Sequence, residues 1–529
     1  MRRILVPGSN CWLQAEAAQA GVFVDARDYY RAFHRAARRA RQYIAITGWQ
    51  FDSDVALLRG EDAREAGGEV RMLPLLRELC EQNPELQIYI LAWDYSLLLA
   101  LEREWMQQVL FSWHSNRIFF RFDGSAPLSG AHHQKLVIID GQVAFTGGMD
   151  ICDCRWDDRS HPARSSMRCD TGRDPHGPYH DVHSVVTGPV VQPLVELFEA
   201  RWFNSGGGEL RLPAPVSRDD VEIHSTLPLP PGPVAISRTF GKTLVPCQEA
   251  VREVRGLYLD AIDSAERVIY VENQYFSSRA IFQALVRRMR QRERGRLQIV
   301  FMLPRQPEAL REQLAMGVAQ VRLLRVLQRV AKLTGHSLGV YCAASRDEDG
   351  EDRYTYIHSK LLVVDDRFLT LGSANTTNRS MGLDSELNLA WEAEDGQEGD
   401  ALRHAIRRLR VSLLAEHVGL QGQAVVRELT RADRLVSFLD EMAQSGKHRL
   451  RPHPMETLFD QSPLLKSLEP DELIIDPEES VLDESLFESL QQEQGLLATS
   501  FRFFTRWFIG LPERPHPASL PVEPPSAEP

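Results

Sequence analysis

Ala131-His132-His133-Gln134-Lys135-Leu136-Val137-Ile138-Ile139-Asp140-Gly141 decides the reading of this chain, because a near-copy returns later as Ile357-His358-Ser359-Lys360-Leu361-Leu362-Val363-Val364-Asp365-Asp366. Both copies read His-x-Lys, four apolar residues, then Asp. Four β-branched or leucine residues in a row predict a strand buried on both faces. Side chains alternate along an extended chain, so His133 and Lys135 are expected to point one way together, and His358 and Lys360 likewise. Each copy then offers an imidazole beside an ammonium. A single such pair reads as a satisfied, half-buried contact. Two pairs, at 133 and 358, read as a design.

The surroundings repeat as well. Helical spacing over Asp25–Gln42 leads to a strand at Tyr43–Phe51. A helix over Met72–Asn83 leads to a strand at Leu86–Trp93, a longer helical stretch to one at Arg117–Phe122, and the first motif to a return strand at Val143–Gly148. The second half gives strands at Val268–Phe276, Leu297–Pro304 and Leu338–Cys342 in the same order. Gln50 lies 83 positions before His133, and Gln274 lies 84 before His358. That agreement predicts an internal duplication. The fold class expected is α/β, with two duplicated halves of mixed sheet flanked by helices. A pseudo-twofold axis would relate them, with the active site at their interface. The expected organisation is residues 1–225 for the first half, a Pro-rich linker at 226–246 around Leu227–Val234, and 247–415 for the second half. An acidic extension at 416–512 and a disordered Pro-rich tail at 513–529 would follow.

Composition narrows the class. The 529 residues carry 61 Lys+Arg against 73 Asp+Glu, a formal charge of −12, which argues against nucleic acid as a partner. Seven cysteines in so long a chain read as reduced thiols. The opening MRRILVPGSNCW has no apolar stretch long enough for a signal peptide, and no run of about 18 apolar residues occurs. A cytoplasmic monomer is expected, with peripheral contact to a membrane surface. A secretion route independent of a signal peptide stays open.

Two imidazoles and two ammonium groups in one cleft suit a phosphodiester. The lysines would hold the anionic oxygens, one imidazole would attack phosphorus, and the other would protonate the leaving oxygen. Histidine fits both roles because its unperturbed pKa is about 6.5. Here the chain resembles the phospholipase D superfamily. His133-x-Lys135-(x)4-Asp140 and His358-x-Lys360-(x)4-Asp365 fit that family's signature in full, and Gly147-Gly148-Met149-Asp150 and Gly372-Ser373-Ala374-Asn375 fit the small-residue turns after it. Tyr270-Val271-Glu272-Asn273-Gln274-Tyr275-Phe276, His180-Asp181-Val182-His183 and Asp384-Ser385-Glu386 look like blocks of true phospholipases D.

The resemblance spans about Asp25 to Leu420. It implies that His133 is the nucleophile and His358 the general acid that later activates water, although the sequence itself is symmetrical. Lys135 and Lys360 would bind phosphate, assisted by Asn375, Asp150 and Ser373. Asp181 and Glu386 would orient the two imidazoles. Asp140 and Asp365 complete the catalytic set, but five positions beyond the lysines they are expected to hold strand-to-turn geometry. No metal and no cofactor is implied.

The resulting expectation is a phospholipase D that hydrolyses membrane glycerophospholipids, or transfers their phosphatidyl group, through a phosphohistidine. A cardiolipin-type phospholipid synthase is the alternative, then a nuclease, then a silent lipid-binding scaffold. The loop at 151–179 reads as a substrate-selecting element rather than a zinc site, since Cys152, Cys154, Cys169, His161 and His176 lack a regular ligand spacing. Residues 451–500, with twelve acidic side chains against two basic, read as an acidic wrap. Phe501–Ile509 reads as a final docked helix, or else as an interfacial element.

Overall fold

The computed structural model describes residues 3–94, 110–111, 115–127, 130–215, 223–244, 247–306, 310–455 and 476–479. The chain divides into two units, Met1–Ser480 and Val481–Pro529, and the second lies outside the described residues. So do the aromatic stretch 501–509, the Pro-rich tail and most of the acidic extension.

Two sheets carry the first unit. One has eight strands, in the order Leu227–Leu229, Gln19–Val24, Val182–Thr187, Val143–Gly147, Leu136–Ile139, Tyr43–Gly48, Gln87–Trp93 and Ile118–Asp123. The other has eleven, and six of them repeat the central order: Glu386–Glu392, Phe368–Gly372, Leu361–Val364, Val268–Glu272, Gln298–Met302 and Ser337–Arg346. The directions repeat too. In each sheet three consecutive strands run parallel, and the strand following the motif runs antiparallel beside them. The fold is mixed α/β, built as a duplication.

Alternation along the motif strands divides the core. Leu136 and Ile138 join Leu361 and Val363 in a central cluster between the sheets, which also takes in Leu194, Phe198, Leu409 and Leu413 from the helices Val191–Trp202 and Gln397–Val418. Val137 and Ile139 face outward onto the helices Asp25–Ala37 and Met72–Gln82. Leu362 and Val364 do the same against Glu253–Ser264, Arg279–Arg290 and the described end of Leu310–Thr334. Each motif strand is thus apolar on both faces because helices cover both.

The sequence expectations shift in three places. First, the helix expected to reach Gln42 stops at Ala37, because the N–H groups of Arg41, Gln42 and Tyr43 donate to the Asp140 carboxylate at 2.8–2.9 Å. Asp365 does the same for Glu266, Arg267 and Val268, at 2.6–2.8 Å. Both aspartates have positive φ, at 52° and 54°, so each turns the chain while capping the first parallel strand of its half. They are fold residues and sit apart from the chemistry.

Second, the described part of the expected 226–246 linker carries strands, at Leu227–Leu229, Gly232–Phe240 and Thr243–Leu244. Leu227–Leu229 pairs with Gln19–Val24 at the edge of the first sheet, and Gly232–Phe240 lies within the second. Pro228 is tolerated on an edge strand, and Pro230 and Pro231 fall between the two strands, where no ladder N–H is needed. Leu13–Ala17 makes the mirror crossing, pairing with Gly232–Phe240 while Gln19–Val24 enters the first sheet. Third, the start of the acidic extension is ordered. The helices Gln423–Thr430 and Leu435–Ser445 bury Leu429, Leu435 and Leu439, and Leu450–Pro452 pairs with Ser337–Arg346.

Asp140→Ala strands three backbone donors, is strained at positive φ, and is expected to cost about 2–4 kcal/mol. Asp365→Ala removes the same contacts where two of the three are exposed, and should cost about 1–2 kcal/mol. Urea denaturation of both variants checks the order. Equal losses, or a larger loss for Asp365, would contradict the capping account.

Candidate active site

The motif residues sit at the entry of their strands, not within them. His133 N–H donates to the Ser385 carbonyl at 3.0 Å, and His358 N–H to the His180 carbonyl at 2.8 Å, so each histidine is stitched to the opposite half. The side chains repeat the exchange. His133 Nδ1 lies 3.0 Å from Glu386 Oε2, and His358 Nδ1 lies 2.6 Å from Asp181 Oδ2. An Nδ1–H donated to a carboxylate leaves Nε2 with its lone pair on both rings.

Close packing explains the small residues that follow each motif. A Cβ at Gly148 would stand 2.3 Å from Asp181 Oδ1, and one at Gly372 would stand 2.2 Å from the Leu387 carbonyl. Larger residues at these turns would push the carboxylate-bearing segments away from the imidazoles.

Both lysines act electrostatically on both histidines. Lys135 Nζ is 3.0 Å from Asp150 Oδ2, and the other Asp150 oxygen accepts the Trp49 N–H at 2.8 Å. Asp150, expected beside phosphate, stands here as the counter-ion of Lys135. Lys360 Nζ donates to Gln274 Oε1 at 3.2 Å and to the His358 carbonyl. Asn375 is buried, and its Oδ1 has no hydrogen-bond partner among the described residues. Ser373, expected at substrate, instead donates its hydroxyl to Glu386 Oε2 and so fixes the carboxylate that holds His133.

Burial sets the electrostatics. Desolvation raises the Asp181 and Glu386 carboxyls to about 7. It holds the His133 imidazole well below its usual value, with repulsion from Lys135 and Lys360 adding to the effect, and His358 likewise, with Lys360 the leading charge. Desolvation also lowers the Lys360 ammonium to about 7. At rest both imidazoles are neutral. An arriving anion would offset the lysine repulsion and let one of them hold a proton.

Some residues here escaped the sequence reading. Gln274 was visible only as part of a motif block. Tyr179 and Tyr356 flank His358, with ring centroids at 5.4 and 6.3 Å. Trp49 and Trp93 stack at 5.9 Å, with Trp49 following the Asp150 contact. No spacing links these residues; only the fold gathers them. The loop 151–179, expected at the cleft mouth, is anchored by the buried Trp156, Asp157, His161 and Arg168, and its last residue, Tyr179, lies beside His358. Its cysteines carry free thiols, and no ligand cluster among the described residues includes one.

Two α/β halves closed around paired His–Lys motifs define a duplicated scaffold with one shared set of cleft residues. Comparison with known proteins supplies the family. Residues 122–227 match the family model "Phospholipase D", and residues 258–407 match "Cardiolipin synthase, PLD-like domain". Phospholipase D alpha 1 of Carica papaya is 25% identical, and phospholipase D alpha 2 of Oryza sativa subsp. japonica is also 25% identical. Each alignment covers 72% of this chain and 62% of the relative. The chain thus spans about three fifths of these relatives' length. A crystal structure of phosphatidylserine synthase from Haemophilus influenzae Rd KW20 aligns at a TM-score of 0.45 and 14% identity, over 82% of this chain and 94% of that one. The chain belongs to the phospholipase D superfamily.

Below about pH 7 Lys360 is charged and Asp181 and Glu386 are neutral; above it Lys360 loses its charge while the carboxyls gain theirs. The cleft therefore grows less cationic as pH rises. Sulfate, a dianion throughout, should bind about tenfold more weakly at pH 8.5 than at pH 6, and Lys360→Arg should blunt the fall. Calorimetric titration measures both, and an affinity flat with pH in the parent protein would contradict the assigned charges.

Proposed function

We propose that this protein is a phospholipase D acting on membrane glycerophospholipids, either hydrolysing the headgroup ester or transferring the phosphatidyl group to an alcohol. The observation that carries the reading is the reciprocal pairing of His133 with Glu386 and of His358 with Asp181, which leaves two Nε2 lone pairs beside two lysines. The relatives named phospholipase D support the substrate class.

In the first step His133 Nε2 attacks phosphorus and a P–N bond forms. The P–O bond to the headgroup breaks, and the departing alkoxide takes the proton from His358 Nε2–H. Lys135 and Lys360 hold the non-bridging oxygens, with Asn375 Nδ2 placed to donate to them. Glu386 and Asp181 fix each ring by its Nδ1–H and stabilise the imidazolium that forms. In the second step His358 Nε2 takes a proton from water or an alcohol. The resulting oxygen attacks phosphorus, and the P–N bond breaks to free His133. The sequence is symmetrical, and the family resemblance assigns the nucleophile to His133.

The protein would work as a monomer at a membrane surface, with the Trp49–Trp93 stack as an apolar wall near the lysines. No described helix is long and apolar enough to cross a membrane. A cardiolipin-type synthase is the second reading, favoured by the family model matched at residues 258–407. The two differ only in acceptor, a water or simple alcohol against the hydroxyl of a second lipid. Incubating the protein with mixed phospholipids and a primary alcohol, followed by lipid mass analysis, separates them; release of no headgroup from any lipid would sink both.

His133→Ala and His358→Ala should each abolish most turnover, with the double variant little worse, because the rings act as one unit. Two modest additive losses would mean two separate sites. With a nitrophenyl leaving group, which departs without a proton, His358→Ala should trap a phosphoryl-enzyme and His133→Ala should not. Mass spectrometry after a mildly basic quench reads the adduct. An adduct only in His133→Ala would reverse the assignment, and none in either despite turnover would exclude the covalent step.

A further inference from the structure

Beneath the second motif lies a buried cluster that the reaction does not use. Asp25, His161, His180 and Glu416 converge there, their nearest ligand atoms all within 4.8 Å of one another. Asp25 opens a helix of the first half, His161 belongs to the loop 151–179, His180 precedes Asp181, and Glu416 comes from the helix Gln397–Val418. All four are buried. His161 Nε2 lies 3.1 Å from Glu416 Oε1 and 3.3 Å from Asp25 Oδ2. His180 Nδ1 lies 2.9 Å from Glu416 Oε1 and 3.0 Å from Asp25 Oδ1.

The outer nitrogens of the rings are already taken. His161 Nδ1 meets Asp157 Oδ2 at 2.8 Å, and His180 Nε2 meets Glu272 Oε2 at 3.1 Å. A neutral imidazole has one N–H, and a carboxylate on the outer nitrogen claims it. The inner nitrogens face the carboxylate oxygens of Asp25 and Glu416, so a positive charge belongs between them: a second proton on each ring, as the aligned His161 Nε2–Glu416 Oε1 contact at 3.1 Å allows, or a bound cation in its place. His180 Nδ1 and Asp25 Oδ2 are, moreover, buried without an aligned hydrogen-bond partner, although other polar atoms stand within 3.3 Å. The contacts of these two atoms have the distances of hydrogen bonds without their directions, whereas His161 Nε2 is aligned on Glu416 Oε1. Arg159 and Arg168 do not fill the space, for Arg159 pairs with the outer oxygen of Glu416, Oε2, and Arg168 with Asp157.

From this geometry we infer a structural divalent-cation site of the zinc class, with His161 Nε2, His180 Nδ1, Asp25 and Glu416 as ligands. Two imidazoles and two carboxylates suit a four-coordinate ion. Bonds of about 2.0–2.1 Å need ligand atoms about 3.3 Å apart, which asks the cluster to open by a few tenths of an ångström. Asp157 and Glu272 would be the carboxylates that orient the ligand histidines and set their tautomers. Asp25 and His161 are held at positive φ, 64° and 37°, a strained backbone that a bound ion would offset.

The site would act on the active centre by position, not by chemistry. Asp25 N–H donates to the Asp181 carbonyl at 2.8 Å, the His180 carbonyl accepts the His358 N–H, and Ser359 Oγ donates to Glu272 Oε2 at 2.6 Å. An ion here would pin both halves and the loop to one another at the base of the His358–Asp181 pair.

The test uses the full chain, expressed untagged and purified without chelators or metal resins. Mass spectrometry of the elements should find about one zinc per chain. Zinc-edge X-ray absorption should show a shell of nitrogen and oxygen at about 2.0–2.1 Å, with imidazole scattering and no sulfur. His161→Gln should lose the metal and melt several degrees lower, whereas Cys152→Ser and Cys169→Ser should keep it. Four results would overturn the inference: no bound divalent metal together with no rise in melting temperature on adding zinc, a sulfur shell at about 2.3 Å, a full metal complement in folded His161→Gln, or its loss from a cysteine variant. If His161→Gln does not fold, the absorption spectrum of the parent protein decides alone.

Discussion

His133 and His358 each give Nδ1–H to a carboxylate carried by the other half of the chain, and this exchange governs the rest of the architecture. Neither half supplies both the motif imidazole and the carboxylate that holds it. The interface is therefore the site itself rather than a wall beside it. A shift of one half against the other by an ångström would lengthen both contacts together, which accounts for how many other bonds cross the same line. Ser385 and His180 accept the backbone N–H groups of His133 and His358, Asp384 accepts that of Ala131, and Tyr356–Ile357 runs parallel to Tyr179–His180. The glycines after each motif act within each half, letting the neighbouring segment that carries Asp181 or Glu386 approach at distances that a methyl group would block.

The electrostatic state of the cleft follows from that closure. Three titratable groups that water would hold apart in pKa, Asp181, Glu386 and Lys360, are drawn toward one another by burial. Carboxyls rise to about 7, Lys360 falls to about 7, and both imidazoles are kept neutral. A site poised in this way changes its proton distribution when an anion enters. The free protein carries a ready lone pair, and the bound anion supplies the field that lets the partner ring hold a proton.

Much of this was legible in the sequence, for identifiable reasons. The His-x-Lys repeat and the matched intervals of 83 and 84 residues exposed the duplication, because a strand buried on both faces leaves an apolar run that no charged residue interrupts. The capping role of Asp140 and Asp365 was readable from their distance beyond the lysines. Ser373 and Asp150 were placed at substrate because a motif fixes proximity but not partner, and the fold turned one to Glu386 and the other to Lys135. The prolines of 227–234 looked like a linker because proline is rare in strands, and the edge position that permits it is a property of the assembled sheet. The buried set of Asp25, His161, His180, Glu272 and Glu416 has no periodicity at all. It spans nearly four hundred positions, and only the docking of both halves collects it.

The crossing of Leu13–Ala17 into the second sheet bears on how the molecule is made. Its ladder partner is Gly232–Ile236, and the N–H groups of Ile4 and Leu5 end on the Glu392 carboxylate. A ribosome emits these residues long before their partners, so the first strand waits while some two hundred residues follow, and its final anchor waits for nearly four hundred. The first sheet can close early around its parallel core, but the strand that crosses over must dock late. High contact order of this kind slows folding and leaves a strand edge open to intermolecular pairing in the interval. The duplicated halves are therefore interlocked in time as well as in space, and a cut just before Leu227 would yield two fragments that each carry a strand belonging to the other.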